Sequence, residues 1–271
     1  FTSAEDKYFF GREEAVRTLL ELLLENRFVA LVGNSGVGKT SLIQSGLIPA
    51  LLTENDQDWV PISVQPGNQP LVSLLKGFQR VFPKKYSDAD VDAFLSDDKT
   101  LVDWIREKEL SSHSCLIVID QFEDVFRNEV SGKKTGRNHE ASRLVSLLLN
   151  AIESELTGVH VILSIRTDFV RACSAFRSLP EQMNRSKYIL QPMTGDALAR
   201  AISEPIRQAG ASCENGFVES LLNDLVKVED KLPLLQHALM RTWDHWAHRK
   251  HHDKPISLSH YKAVGTIRNA L

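Results

Sequence analysis

Nine residues near the start of the chain, GNSGVGKTS from Gly33 to Ser41, fit the spacing G-x-x-x-x-G-K-[ST]. Gly33, Gly36 and Gly38 let the backbone curl so that its N–H groups, with those of Asn34, Ser35 and Val37 among them, turn inward around an anion. A helix opening at the end of such a loop adds its partial positive charge. Lys39 brings a point charge to the β- and γ-phosphates, and the Thr40 hydroxyl is suited to ligate Mg²⁺, with Ser41 closing the motif. The chemistry implied is capture of a nucleoside phosphate together with its metal.

A second group of residues lies in CLIVIDQFEDVF, Cys115 to Phe126, where an apolar run stops at Asp120 and two more acids, Glu123 and Asp124, follow three and four places later. An Asp at the C-terminal end of a parallel strand, in a sheet that carries a phosphate loop, lies where open α/β sheets bind ligands. Asp120 is therefore expected to hold Mg²⁺, mostly through water. Glu123 or Asp124 can orient an attacking water as general base, or sit on a solvated helix face; spacing does not choose between them. Further on, SIRTDF places Arg166 at the end of another apolar run. An arginine there can fork onto a γ-phosphate, or it can pair with Asp168 at the surface.

These groups need a scaffold, and the pattern around them supplies one. GREEAVRTLLELLLEN has leucines at helical spacing, RFVALV reads as a buried strand, and TSLIQSGLIPALL reads as the helix that follows the loop. WVPISV, CLIVID, VHVILSIR and KYIL read as four further strands, separated by amphipathic stretches such as LVSLLKGFQRVF, TLVDWIREKEL and EASRLVSLLLNAIESEL. Strands alternating with helices imply a mostly parallel five-stranded α/β sheet covered by helices on both faces. After about residue 190 only helical patterns remain, in DALARAISEPIRQAG with a kink expected at Pro205, GFVESLLNDLV and LPLLQHALMRTWDHWAH. The expected division is a helical lead-in over 1–26, a nucleotide-binding domain over 27–192, and a helical domain over 193–271.

Composition narrows the classes. With 271 residues, 42% hydrophobic and 25% charged, the chain has the make-up of an ordinary globular protein, and its formal charge of -3 gives no general pull toward nucleic acid or anionic membrane. Glu21, Glu25, Asn26 and Arg27 interrupt the most apolar early region, so no membrane span is expected. FTSAEDKYFF lacks the basic and apolar regions of a secretory leader. Cys115, Cys173 and Cys213 are odd in number and far apart, which suits a reducing compartment. The missing initial Met and the final IRNAL read as a piece of a longer protein.

Taken in order, YFFGREEAV, the loop from Gly33 to Thr40, IVIDQFEDVF, ILSIRTDF and LPLLQHAL resemble the STAND class of P-loop ATPases, closest to its bacterial novel STAND branch. That resemblance covers nearly the whole chain. It implies an AAA+-like ASCE nucleotide-binding sheet, a helical lid, and the start of a winged-helix-like region in ISLSHYKAVGTIRNAL. It also implies a cytoplasmic switch using ATP/ADP and Mg²⁺, flanked by effector and sensor domains, self-associating when ATP-bound, and in several members acting in anti-phage defence. By the same resemblance Arg12 and Pro233 would lie near the adenine and Arg166 would be the sensor arginine. The chain departs from its relatives at Asp230 and Lys231, which stand where glycine is frequent. Gln121 stands where vigorous hydrolases carry a catalytic Glu, so slow hydrolysis is expected.

Other features carry less. His248, His251 and His252 lack regular ligand spacing, so a solvated helix end is expected there. His237 is either a packed lid residue, the favoured reading, or a nucleotide sensor. KKTGR in the polar loop SGKKTGRN is too short to argue for phosphate backbones. A constitutive ATPase working on nucleic acid or protein is the competing function, and a module with a purely structural nucleotide is a third. A GTPase is disfavoured because no N-K-x-D motif is present.

Overall fold

The computed structural model describes residues 7–54, 58–96, 99–108, 110, 113–127, 137–226, 228, 231–248 and 254–267. The expectations placed on Asp230, His251, His252, the centre of the SGKKTGRN loop and the final residues lie outside these. The chain forms two compact units, one of Arg17–Asn34 and Ala50–Leu190, the other of Phe1–Val16, Ser35–Pro49 and Gln191–Leu271.

In chain order, helix α1 (Glu13–Asn26) leads into β1 (Phe28–Gly33). The phosphate-type loop then opens α2 (Lys39–Ser41), which runs through a π-helical stretch (Leu42–Leu47) into α3 (Ile48–Glu54). The widened turn has a physical reason. Pro49 has no N–H to donate, and in α geometry its ring would strike the carbonyl four residues back, at Ser45. The π stretch, in which Ile48 donates to the Ile43 carbonyl, absorbs the mismatch.

The sheet is completed by β2 (Trp59–Val64), β3 (Ser114–Ile119), β4 (Val159–Arg166) and β5 (Lys187–Ile189). All pairings are parallel and the strand order is β2-β3-β4-β1-β5. Its connections include α4 (Pro70–Val81), α5 (Asp88–Ser96), α6 (Leu101–Glu107), α7 (Asp124–Arg127), α8 (Arg137–Glu153), a 3₁₀ helix (Thr167–Ala175) and α9 (Leu179–Arg185). Every residue of β1 is buried, so both faces of the sheet are covered, as a central parallel strand requires. On one face Leu74, Leu75 and Phe78 of α4 pack with Leu144 and Leu148 of α8 over Ile62, Ile117 and Val161. Each such side chain stabilises the fold by about 1.5–3 kcal/mol through burial. Pro61 is tolerated in β2 because that strand is an edge.

Helices α10 (Gly195–Gln208), α11 (Asn215–Leu225), α12 (Lys231–His248) and α13 (Leu258–Ala263) share a separate core, with Ile202, Phe217, Leu221, Leu235, Trp246 and Tyr261 at its centre. Tyr261 is fully buried, and its hydroxyl donates to Asp224 at 2.8 Å and accepts the Ile267 amide at 2.8 Å. Pro205 lies one turn from the end of α10, and the helix continues through it to Gln208. Among the described residues no helix is long and apolar enough to cross a membrane.

Candidate functional site

In the sheet unit the chemically capable groups lie at the C-terminal edge. Parallel pairing sets Gly33, the last residue of β1, opposite Arg166, the last residue of β4. Asp120 follows β3 directly, and its amide donates to the Val64 carbonyl of β2 at 2.8 Å. The expected emergence of Asp120 and Arg166 from one edge is therefore what the strands produce.

After Asp120 the chain turns sharply, because Gln121 takes a left-handed backbone conformation with φ 56°. For a residue other than glycine this conformation is uncommon and costs free energy. Here it is over-determined from below. Phe122 is driven into the core, and its amide donates to the Ser164 carbonyl at 2.9 Å. Glu123 is turned back toward β4, where its Oε2 accepts the Arg166 amide at 3.2 Å. Asp120 and Glu123 are each only 4% exposed, whereas Asp124, which begins α7, is half-buried. Burial and anchoring thus separate two acids that spacing left equivalent.

The Arg166 side chain makes the contact named as its alternative role. Its Nη2 donates to Asp168 Oδ2 at 2.5 Å, and its guanidinium lies 5.7 Å from the centre of the Phe169 ring. Phe169 in turn stacks on Phe126 of α7, with centroids 6.1 Å apart and planes inclined by 14°. Neither aromatic was singled out in the sequence, although an aromatic follows each acidic motif.

In the second unit the loop adopts the conformation its glycines allow. Gly36 and Gly38 have φ of 67° and 95°, Val37 is buried, and the Leu42 amide donates to the Gly38 carbonyl at 2.9 Å to start the helix. Asn34, Ser35 and Thr40 are exposed, while Gly36, Lys39 and Ser41 are half-buried. Arg12 binds this loop itself: Nη2 donates to the Val37 carbonyl at 2.9 Å and Nη1 to the Gln191 carbonyl at 2.7 Å. One guanidinium thereby joins the loop to the start of the helical segment. Gly11 beside it has φ 85°, and a Cβ there would lie 2.5 Å from the Ala197 carbonyl oxygen of α10. Glu13 accepts from the Gly11 amide at 3.1 Å and from Arg200 at 2.7 Å. The GRE turn is thus moulded onto α10.

The helical residue that approaches the loop is Leu232. Its Cδ1 would be 3.0 Å from a Cβ built on Gly38, while Pro233 next to it is exposed. His237 is exposed too, because the buried stripe of α12 runs through Leu235 and Ala238, so its packed reading is corrected. His248 Nδ1 lies 2.7 Å from the Asp244 carbonyl oxygen, a contact within its own helix. Thr40 in one unit and Asp120 in the other each offer an oxygen of the hard type that Mg²⁺ takes.

Across residues 1–271 the chain matches the family described as novel STAND NTPase 1. It belongs to that family. The STAND NTPase is accordingly a nucleotide-binding P-loop module. Its fold is also that of the Aeropyrum pernix ORC2 protein in ADPNP–ADP complexes, with a TM-score of 0.61 at 18% identity over 93% of this chain and 66% of that one. The STAND NTPase thus spans just under two thirds of the ORC2 length. A Walker-type ATPase of Pyrococcus abyssi matches with a TM-score of 0.54 at 13% identity, covering 94% of this chain and 71% of that one. Domain III of the Thermotoga maritima replication initiation protein DnaA gives 0.53 at 16%, covering 96% and 94%. No curated protein matches the chain. At these identities the solved structures establish the AAA+-like fold of the STAND NTPase.

Proposed function

We infer that this module is the ATP/ADP-binding switch of a larger cytoplasmic signalling protein, hydrolysing ATP slowly with Mg²⁺. The observation that carries the reading is the grouping of the phosphate loop, the GRE turn and the helices after Gln191 in one compact unit, joined through Arg12 to the Val37 and Gln191 carbonyls. A loop bonded to the lid segment can report its occupancy to that segment, which is what a switch requires and a simple hydrolase does not.

The backbone amides from Gly33 to Gly38, with Lys39, would hold the phosphates, and Thr40 and Asp120 would supply oxygen to Mg²⁺. When bound, that metal neutralises charge building on the phosphates. Glu123 is the preferred base, being buried and anchored, and Asp124 takes the lesser part. Arg166 would meet a γ-phosphate that ADP lacks. Arg12 acts as a positioning residue through the loop carbonyl, and Leu232 replaces Pro233 as the lid residue expected over the nucleotide.

Magnitude limits what nucleotide exchange does alone. Driving a population from 1:99 to 99:1 takes about 5.5 kcal/mol of differential binding. One charge-assisted contact from Arg166 provides roughly 1.5–3 kcal/mol. A trigger sensed by flanking domains, with self-association of the ATP form, would supply the remainder; defence against phage is one setting for such an output.

The test is to purify the chain without added nucleotide, denature it, and identify what it releases by ion-exchange chromatography. Near-stoichiometric ADP supports a closed switch. An empty site that turns over added ATP freely supports the constitutive ATPase instead.

A further inference from the structure

Arg166 is already engaged in this structure. Its Nη2 is 2.5 Å from Asp168 Oδ2, and its guanidinium lies 5.7 Å from the centre of the Phe169 ring. Asp168 stands in the first turn of the 3₁₀ helix that Arg166 caps, so one local turn holds both partners. Phe169 stacks on Phe126 of α7, and the Arg166 amide is bound by Glu123. The held arginine is therefore tied, through backbone and ring, to the loop that carries Asp120 and Glu123.

The pair has the strength of a reversible hold. The two side chains are 29% and 55% exposed, so water and salt screen their attraction. A γ-phosphate carries more charge than one carboxylate and three oxygens for the guanidinium fork, so it can take the arginine from Asp168. ADP offers no such competitor.

We propose that Asp168 sets the balance between ATP and ADP by holding Arg166 in an ion pair that a γ-phosphate must break. This rests on the reading of Arg166 as the γ-phosphate sensor. Asp168 is a positioning residue, since it acts on the arginine and not on the nucleotide. Its effect is confined to the triphosphate, which separates it from a general contribution to stability.

The experiment is calorimetric titration of the full chain with Mg·ADPNP and with Mg·ADP, for the parent, Asp168→Asn, Arg166→Ala and the double variant. Asp168→Asn is expected to tighten ADPNP about two- to fivefold, the range of an exposed ion pair, and to leave ADP unchanged. Arg166→Ala is expected to weaken ADPNP selectively and to abolish the effect of Asp168→Asn. Asp168→Glu, which keeps the charge, is expected to return the parent preference. Equal shifts for both nucleotides, no shift, or a shift that survives in the Arg166→Ala background overturns the proposal. If Arg166→Ala leaves the ADPNP-to-ADP ratio unaltered, the sensor reading itself falls; if that ratio changes while Asp168→Asn does nothing, only the role of Asp168 falls. Melting curves check that each variant folds, and Asp168→Ser repeats the titration should the Asn variant not fold.

Discussion

The carboxylate of Glu123 accepts the backbone amide of Arg166 at 3.2 Å, so the acid that follows β3 is fixed to the end of β4. One Glu123 oxygen is spent on this anchor, which leaves the other to orient a water. Glu123→Gln keeps an amide oxygen for the Arg166 N–H but removes the basic carboxylate. Its expected result is a fall of about 10²–10⁴-fold in single-turnover hydrolysis with ADPNP affinity retained. Asp124→Asn, at a half-buried position, is expected to keep most of the rate. The reverse order in rapid-quench assays would assign the base to Asp124.

Arg12 bonds two carbonyls that are far apart in sequence, Val37 and Gln191. Lysine carries the same charge but has no planar fork, so its single nitrogen cannot take both the Nη1 and the Nη2 positions. Arg12→Lys is therefore expected to lower unfolding free energy by about 1–2 kcal/mol and to speed ADP release. Urea titration and stopped-flow release of a fluorescent ADP measure the two effects. A variant with normal stability but lost discrimination among bases would restore Arg12 to the adenine.

How much of this was legible beforehand follows from what kind of interaction decides each point. All five strands lie within a residue or so of the apolar runs that announced them, and for β1, β3 and β4 the reason is that a parallel strand buried on both faces has little choice of residue. Helices α5 and α9 went unread: DADVDAFLS has only Val91 and Phe94 buried, and α9 opens after Ser178 in a left-handed conformation with φ 64°. The motif residues announced themselves by type, but their partners did not. The Glu123–Arg166 anchor spans 43 positions and the Arg12–Gln191 bond spans 179, and no local pattern encodes either. Leu232 was hidden for a different reason, since a leucine in LPLL reads as core until its approach to Gly38 is seen.

Leu232 closes on Gly38, while Pro233 points its ring into an exposed position. Leu232→Ala is expected to raise the ADP release rate about fivefold, the equivalent of roughly 1 kcal/mol. Pro233→Ala is expected to change it little. Release rates of a fluorescent ADP distinguish the two, and a larger effect from Pro233 would return that residue to the nucleotide.

His160 near the start of β4 is buried, with its ring 4.8 Å from that of Trp59 in an edge-on arrangement. Burial disfavours the charged imidazolium and, with a smaller contribution from the nearby Arg27 charge, pushes the His160 pKa down from 6.5 to about 4. Above pH 6.5 the ring is neutral in folded and unfolded chains alike, so it gives stability no slope there. As pH falls below that value the unfolded chain takes up a proton that the folded chain refuses. Stability is therefore lost between pH 6.5 and about 4, and the loss stops once the folded state also protonates. The full span amounts to about 3 kcal/mol at the acid end. His160→Phe keeps a ring against Trp59 and removes the titration. Urea unfolding of the two proteins from pH 7 to pH 4 is expected to show curves that diverge only below about 6.5. Parallel curves over that range would mean that His160 gains a proton in the folded chain as easily as in the unfolded one.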